Sequence, residues 1–159
     1  MGKSKKYGMN TKALHANKKF EPVSGDIMPP LHLSTTYKND VPGESEYFYG
    51  RVNNPTRELF ERTLASLEGI DNYEEVHALA MASGMSAVSL IAELVKPGEN
   101  VVITKDVYGG TTNYFSKIVT ERGVEVNFCD FSDTEKLKSL LNDKTKLAWI
   151  ESPSNPSIN

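Results

Sequence analysis

The 159 residues suffice for one domain with a hydrophobic core, and 38% hydrophobic with 25% charged residues is the balance of a globular chain. A formal net charge of -3 gives no electrostatic reason to expect nucleic acid or an acidic membrane surface as a partner. Lys3, Lys5 and Lys6 have no apolar run behind them, and no stretch approaches the roughly 18 apolar residues of a membrane helix, so neither a secretory signal nor a membrane span is expected. The single cysteine, Cys129, cannot form an internal disulfide, and the expected location is cytoplasmic. Cys129 follows a strand pattern and reads as a packed small hydrophobe, not a nucleophile.

In chain order, Met1 to about Asn54 shows little periodicity and carries Pro22, Pro29, Pro30 and Pro42. It reads as an extended arm, because a long structureless loop inside a compact domain is either functional or reaches a partner. The aromatic cluster Tyr47-Phe48-Tyr49 then needs a surface to bury against. From Asn54 the pattern becomes regular. Asn54 predicts an N-cap, Pro55 the first helical position, and Gly69 a left-handed stop, with Leu59, Phe60, Thr63, Leu64 and Leu67 at helical spacing. Val76 to Met81 reads as a short buried strand, and Gly84 to Val95 as a helix stopped by Lys96-Pro97-Gly98. Val101 to Thr104 is the next strand, Gly110 to Arg122 the next helix, and Val124, Val126 and Phe128 alternate as a further strand. Ser132 and Glu135 predict a capping box for a helix carrying Leu137, Leu140 and Leu141. Lys146 to Glu151 closes the series as a strand. Its apolar run Leu147-Ala148-Trp149-Ile150 suits a strand covered on both faces.

Strands alternating with helices predict an α/β fold with a mostly parallel sheet and helices on both faces. In such sheets ligands bind beyond the carboxyl ends of the strands, which directs attention to the following loops. Ser83-Gly84-Met85-Ser86 opens a helix, where free amides and the helix dipole favour an anion such as phosphate. A strand-to-helix turn also prefers Ser and Gly without any ligand. Tyr108-Gly109-Gly110-Thr111 offers an aromatic ring on which a planar ligand can stack, although a packed tyrosine in a plain loop is the simpler reading. Asn155 is able to donate to a ring oxygen or a carboxylate, or to serve as a turn residue. Tyr49 and Arg51, two apart in an extended arm, point to one side and are placed to clamp a phosphate, even that of a neighbouring subunit.

Order and context sharpen these signals. The run Tyr47-x-Tyr49-x-Arg51-x-x-Asn54-Pro55-Thr56-Arg57 is followed by Ala82-Ser83-Gly84-Met85, then by Asp106-Val107-Tyr108-Gly109-Gly110-Thr111. The last motif is Thr145-Lys146-x-x-Trp149-Ile150-Glu151-Ser152-Pro153-Ser154-Asn155-Pro156. From about Thr11 onward the chain resembles the cystathionine γ-lyase and γ-synthase family of pyridoxal-phosphate (PLP) enzymes of cysteine and methionine metabolism.

The resemblance implies the aspartate-aminotransferase type of fold. Residues 55–159 would form the first part of the large PLP domain behind the 1–54 arm, with the rest of that domain and a C-terminal domain absent. It implies a homodimer or homotetramer with active sites shared between subunits. Tyr49 and Arg51 would reach the PLP phosphate of the adjacent subunit, and Gly84 and Met85 would cradle the phosphate. Tyr108 would stack on the ring and transfer protons, and Asn155 would lie near the ring oxygen and the substrate carboxylate. The implied activity is PLP-dependent lysis of a carbon–sulfur bond in a sulfur amino acid, most closely cystathionine γ-elimination to cysteine, 2-oxobutanoate and ammonia. Cystathionine γ-synthase and O-acetylhomoserine sulfhydrylase are the alternatives within the family.

Three departures qualify this. No residue matches the family's Schiff-base lysine or its pyridine-nitrogen aspartate, so the chain reads as the front portion of a longer protein and is expected to be inactive alone. Gly110 stands where methionine γ-lyases carry Cys, which argues against that activity. Asn113 stands where many members carry an Arg linked to the distal end of the substrate, and a neutral amide cannot pair bidentately with a carboxylate. Gly50 replaces the usual Ser, with little expected consequence. Outside the family, a truncated non-catalytic paralogue and a Rossmann-like nucleotide-binding module remain; the latter predicts Gly-x-Gly-x-x-Gly, whose second glycine Ser83-Gly84-Met85-Ser86 lacks.

Overall fold

The computed structural model describes residues 7–15, 28–41, 43–70 and 78–158. Contacts divide the chain into two units, Met1–Ala80 and Met81–Asn159.

In the first unit, helix α1 (Met9–His15) packs on helix α2 (Pro55–Leu67), with Lys12 Nζ donating to the Ser66 carbonyl at 3.0 Å. Asn54 caps α2 as its sequence predicts. Its Oδ1 accepts from the amides of Thr56 at 2.9 Å and Arg57 at 3.3 Å, two donors that no helical carbonyl can reach. Gly69 takes φ of +93°, a conformation open to glycine but costly for a residue with a Cβ. The buried face of α2 is Pro55, Glu58, Glu61, Ala65 and Ser66, whereas Phe60 and Leu64 are exposed. Helical period is therefore correct, but the face turned inward in this unit is largely polar.

Residues 28–54 contain no helix or strand among those described, only an isolated antiparallel bridge between Thr36 and Tyr49. The strand expected at Val76 to Met81 lies partly outside the described residues. Its described part, 78–81, is irregular, with Leu79 and Met81 exposed. The apolar residues are present, but no neighbouring strand pairs with them among the described residues, and a strand exists only through its ladder.

The second unit is built on a three-stranded parallel sheet of order β2-β1-β3, with β1 Asn100–Thr104, β2 Glu125–Cys129 and β3 Thr145–Trp149. Register places Val126, Val101 and Leu147 in one row and Phe128, Ile103 and Trp149 in the next. Alternation sends both rows to the same face. There they meet Val88 and Ala92 of helix α3 (Gly84–Ala92), together with Val95, Val107, Phe115, Val119 and Val124. Phe115 is fully buried, its ring centroid 6.0 Å from that of Trp149.

Helix α4 (Gly109–Tyr114) runs on as a π-helical turn over 115–119 and a 3-10 turn over 120–122, where the sequence suggests one continuous helix. The steps β1→β2 and β2→β3 run in opposite directions along the sheet. Right-handed crossovers therefore put α4 and helix α5 (Thr134–Leu140) on opposite faces. The face carrying α5 is thinly covered: α5 has no buried residue, and Ala148 and Ile150 are exposed. Among the described residues the expectation that the Leu147–Ile150 run is covered on both faces is met on the Leu147–Trp149 face alone, since no described helix packs over Ala148 and Ile150. The cap of α5 also differs from expectation. Asp133 accepts from the Lys136 amide at 3.0 Å, while the Ser132 hydroxyl is diverted to Asp130 at 2.7 Å. Cys129 is buried as expected, and burial, with Asp130 and Asp133 nearby, pushes its thiol above the ordinary range, away from reactivity.

Candidate active site

In the second unit the end of β3, the segment following β1 around Tyr108 and the start of α3 line an open cavity of about 540 Å³, within the usual size of small-molecule sites. Its lining includes Ser83, Gly84, Met85, Tyr108, Thr111 and Glu151. Ser83 caps α3, with its hydroxyl accepting from the Ser86 amide at 3.2 Å. The amides of Gly84 and Met85 open the nine-residue helix and have no intrahelical carbonyl partner. A Cβ built on Gly84 would meet nothing within 4 Å, so the backbone here faces open space. The sequence motifs at 83–86 and 108–111 therefore meet at one cavity.

Tyr108 is half-exposed at the rim. Its ring lies against Gly110: a Cβ at 110 would sit 2.4 Å from a Tyr108 ring carbon and 3.0 Å from Met85 Sδ. No larger residue fits at 110 while the ring holds this position. The Tyr108 amide donates to Glu151 Oε2 at 2.8 Å, and Glu151 Oε1 accepts from the Thr111 hydroxyl at 3.0 Å and the Trp149 indole at 3.2 Å. Thr111 is fully buried. At the neighbouring strand end, the Lys105 amide donates to the Cys129 carbonyl at 2.9 Å and Lys105 Nζ pairs with Asp130 at 2.8 Å. That pairing raises the lysine above its ordinary range and, with bonds from Ser132, holds the Asp130 carboxyl well below its own.

Two predicted residues of the second unit do not line this cavity. Asn155 is exposed on the loop after β3, and Asn113 is exposed on α4. Three lining residues, Glu151, Thr111 and Trp149, stand within the quoted motifs but carry no assigned role there. What the sequence offers for Glu151 is a carboxylate two positions past an apolar strand, where a partly buried acidic group needs donors.

Tyr49 and Arg51 belong to the first unit. The Arg51 guanidinium carbon lies 4.9 Å from the centre of the Tyr49 ring, a cation–π arrangement. The chain there is a turn, not extended as expected: the amides of Val52 and Asn53 both donate to the Tyr49 carbonyl, at 2.9 and 3.1 Å. Arg51 is exposed, and among the described residues no carboxylate pairs with it. Gly50 matters more than expected. Its amide donates to the Thr35 carbonyl at 2.7 Å, and a Cβ there would lie 2.9 Å from the Ser34 carbonyl oxygen, so a serine would force the backbone to move.

The turn is fastened by Glu58, which is buried on α2. Its carboxylate accepts from the Tyr47 hydroxyl at 2.5 Å, pairs with Arg62 Nε and accepts from Asn53 Nδ2 at 3.4 Å. Burial alone would raise this carboxyl, but the bonds from Tyr47 and Arg62 outweigh it and hold the group below its ordinary range. Burial and the same hydrogen bond push the Tyr47 phenol above its own.

A glycine turn and a tyrosine ring meet at one cavity beyond the ends of a parallel sheet, the place where open α/β sheets bind ligands. Residues 10–159 match the family of Cys/Met metabolism PLP-dependent enzymes, and the chain belongs to it. It is 40% identical over 157 residues to a cystathionine beta-lyase of Coxiella burnetii and 40% identical over 150 residues to a cystathionine gamma-lyase of Bos taurus. These alignments cover 98% and 93% of this chain but only 39% and 36% of the relatives, so the chain spans under two fifths of their length. The crystal structure of a cystathionine gamma-lyase, CalE6, from Micromonospora echinospora superposes with a TM-score of 0.85 at 37% identity. The overlay covers 97% of this chain and 39% of that one. The observed parallel sheet with its helices is thus the front part of that α/β fold. No helix among the described residues is long and apolar enough to cross a membrane.

Proposed function

We propose that the protein containing this chain is a cytoplasmic, oligomeric PLP-dependent enzyme that cleaves a carbon–sulfur bond in a sulfur amino acid, most closely a cystathionine γ-lyase. The observation that carries the PLP reading is the convergence of the Gly84–Met85 amides and the Tyr108 ring on one cavity of suitable volume. The cavity fits the cofactor's chemistry: donors for a phosphate at one wall and an aromatic ring at another.

When bound, PLP supplies an electron sink for the negative charge that develops at the substrate α-carbon. The amides of Gly84 and Met85 would hold the phosphate, and Tyr108 would offer its ring to the cofactor and its hydroxyl as a group able to accept and return a proton. Arg51, stacked on Tyr49, supplies a charge-assisted bond to the phosphate of the adjacent subunit. Asn155, exposed on the loop after β3 and outside the cavity lining, would be the residue assigned by resemblance to the ring oxygen and the substrate carboxylate. The lysine that anchors the cofactor and the aspartate at its ring nitrogen come from elsewhere in the protein.

Gly110, where methionine γ-lyases carry Cys, supports γ-lyase over methionine γ-lyase. Asn113 supports a second reading. A neutral residue at that exposed position on α4 suits a substrate without a distal carboxylate, such as the activated homoserine of a sulfhydrylase.

Product analysis of the full-length, PLP-loaded protein separates these readings. A γ-lyase given L-cystathionine releases 2-oxobutanoate. Pyruvate instead would mean β-cleavage. No oxoacid from cystathionine, with turnover only of an activated homoserine plus a thiol, would assign the protein to the synthase or sulfhydrylase group.

A further inference from the structure

Glu151 is the acceptor on which the wall of the cavity is assembled. Its carboxylate takes three donors from two segments: the Tyr108 amide at 2.8 Å, the Thr111 hydroxyl at 3.0 Å and the Trp149 indole at 3.2 Å. Two of these lie 43 and 40 positions away in sequence, so the bonds join the loop after β1 to the end of β3. The Trp149 end is rigid, because its ring packs on the fully buried Phe115. The Tyr108 end is less confined: the residue is 51% exposed, with one edge of its ring beside Gly110.

We propose that Glu151 is a positioning residue that anchors the Tyr108 backbone to the core and so fixes where the phenol stands over the cavity. The inference rests on the reading above, in which Tyr108 faces the cofactor.

Only a carboxylate satisfies all three donors. Each oxygen accepts, and the charge strengthens every bond. Glutamine presents one oxygen and one NH2. If the oxygen faces Thr111 and Trp149, the NH2 confronts the Tyr108 amide, donor against donor. If the amide is turned over, the NH2 confronts the indole N–H instead. In either orientation one bond is lost, and in the first it is the bond to Tyr108.

The test is a double-substitution cycle of Glu151→Gln and Tyr108→Phe in the full-length holoenzyme, joined to hydrogen exchange of the cofactor-free protein over 106–111. If Glu151 acts through Tyr108, Glu151→Gln lowers kcat about 10- to 100-fold in the wild-type background, the scale of a misplaced reacting group. In the Tyr108→Phe background it lowers kcat less than about twofold, because coupled residues are not additive. Exchange over 106–111 accelerates in the Glu151→Gln protein. Equal losses in both backgrounds, or unchanged exchange, would overturn the inference while leaving the cofactor site intact. Tyr108→Phe with wild-type activity would instead overturn the proton-transfer role of the phenol and this inference with it, while leaving the stacking of the ring on the cofactor untouched. Should Glu151→Gln fail to fold, Thr111→Val and Thr111→Ser carry the test. A partial loss with Val that Ser restores supports the anchor, and equal behaviour of the two rejects it.

Discussion

Glu58→Ala is expected to loosen residues 45–63 by about 3–5 kcal/mol, the usual cost of breaking a buried ion pair by removing one partner. The carboxylate is 4% exposed and gathers Tyr47, Asn53 and Arg62. Its loss leaves the Tyr47 hydroxyl and the Asn53 amide without this acceptor and takes a carboxylate from beside Arg62. Glu58→Gln keeps one acceptor and costs less, about 1–2 kcal/mol. Hydrogen exchange across 45–63 of the full-length protein measures both, and unchanged protection in the alanine variant would show that the network is not what holds the turn.

The pH dependence of this network has a definite sign. The folded Glu58 carboxyl titrates below its unfolded value, which lies near 4.3. The folded state therefore binds the proton less readily, and the stabilisation is complete above about pH 4.5 and is lost as pH falls through the folded pKa. Protection over 45–63 is expected to hold from neutral pH to about 5 and to decline on further acidification.

Arg51→Ala is expected to weaken PLP retention by about 10- to 100-fold, the equivalent of one hydrogen bond to a charged group at about 1.5–3 kcal/mol. The residue is exposed, and its only described side-chain contact is the Tyr49 ring, so little of the loss would come from stability. Arg51→Lys keeps the charge but not the planar fork, and is expected to fall between the two. Equilibrium dialysis of PLP against the full-length variants gives the comparison. Wild-type affinity in Arg51→Ala would remove Arg51 from the phosphate site.

The parts of the fold that declared themselves in sequence are those governed by local chemistry. Asn54-Pro55 and Gly69 bracket α2 because capping and left-handed stops depend on a few adjacent residues. Ser83-Gly84 opens α3 for the same reason. What stayed hidden depends on partners far along the chain. The Leu147–Ile150 run carries no sign of which of its faces is covered, and 78–81 reads as a strand although no ladder forms there among the described residues. Ser132 and Asp133 are both good caps, and only the nearby Asp130 decides between them by engaging Ser132.

The candidate site divides in the same way. Gly84, Met85 and Tyr108 were legible because their motifs sit in loops after strand-like runs, and the structure unites them. Glu151 was not, since its role lies in donors some forty residues upstream. The importance of Gly50 was likewise invisible, because the obstacle to a side chain is the backbone of Ser34, brought near by the bridge between Thr36 and Tyr49.

The most direct measurement is a crystal structure of the full-length protein with PLP bound. The phosphate is expected within hydrogen-bonding distance of the Gly84 and Met85 amides, with the pyridine ring stacked on Tyr108. A cofactor seated elsewhere, or a Tyr108 ring turned away from it, would contradict the site described for this chain.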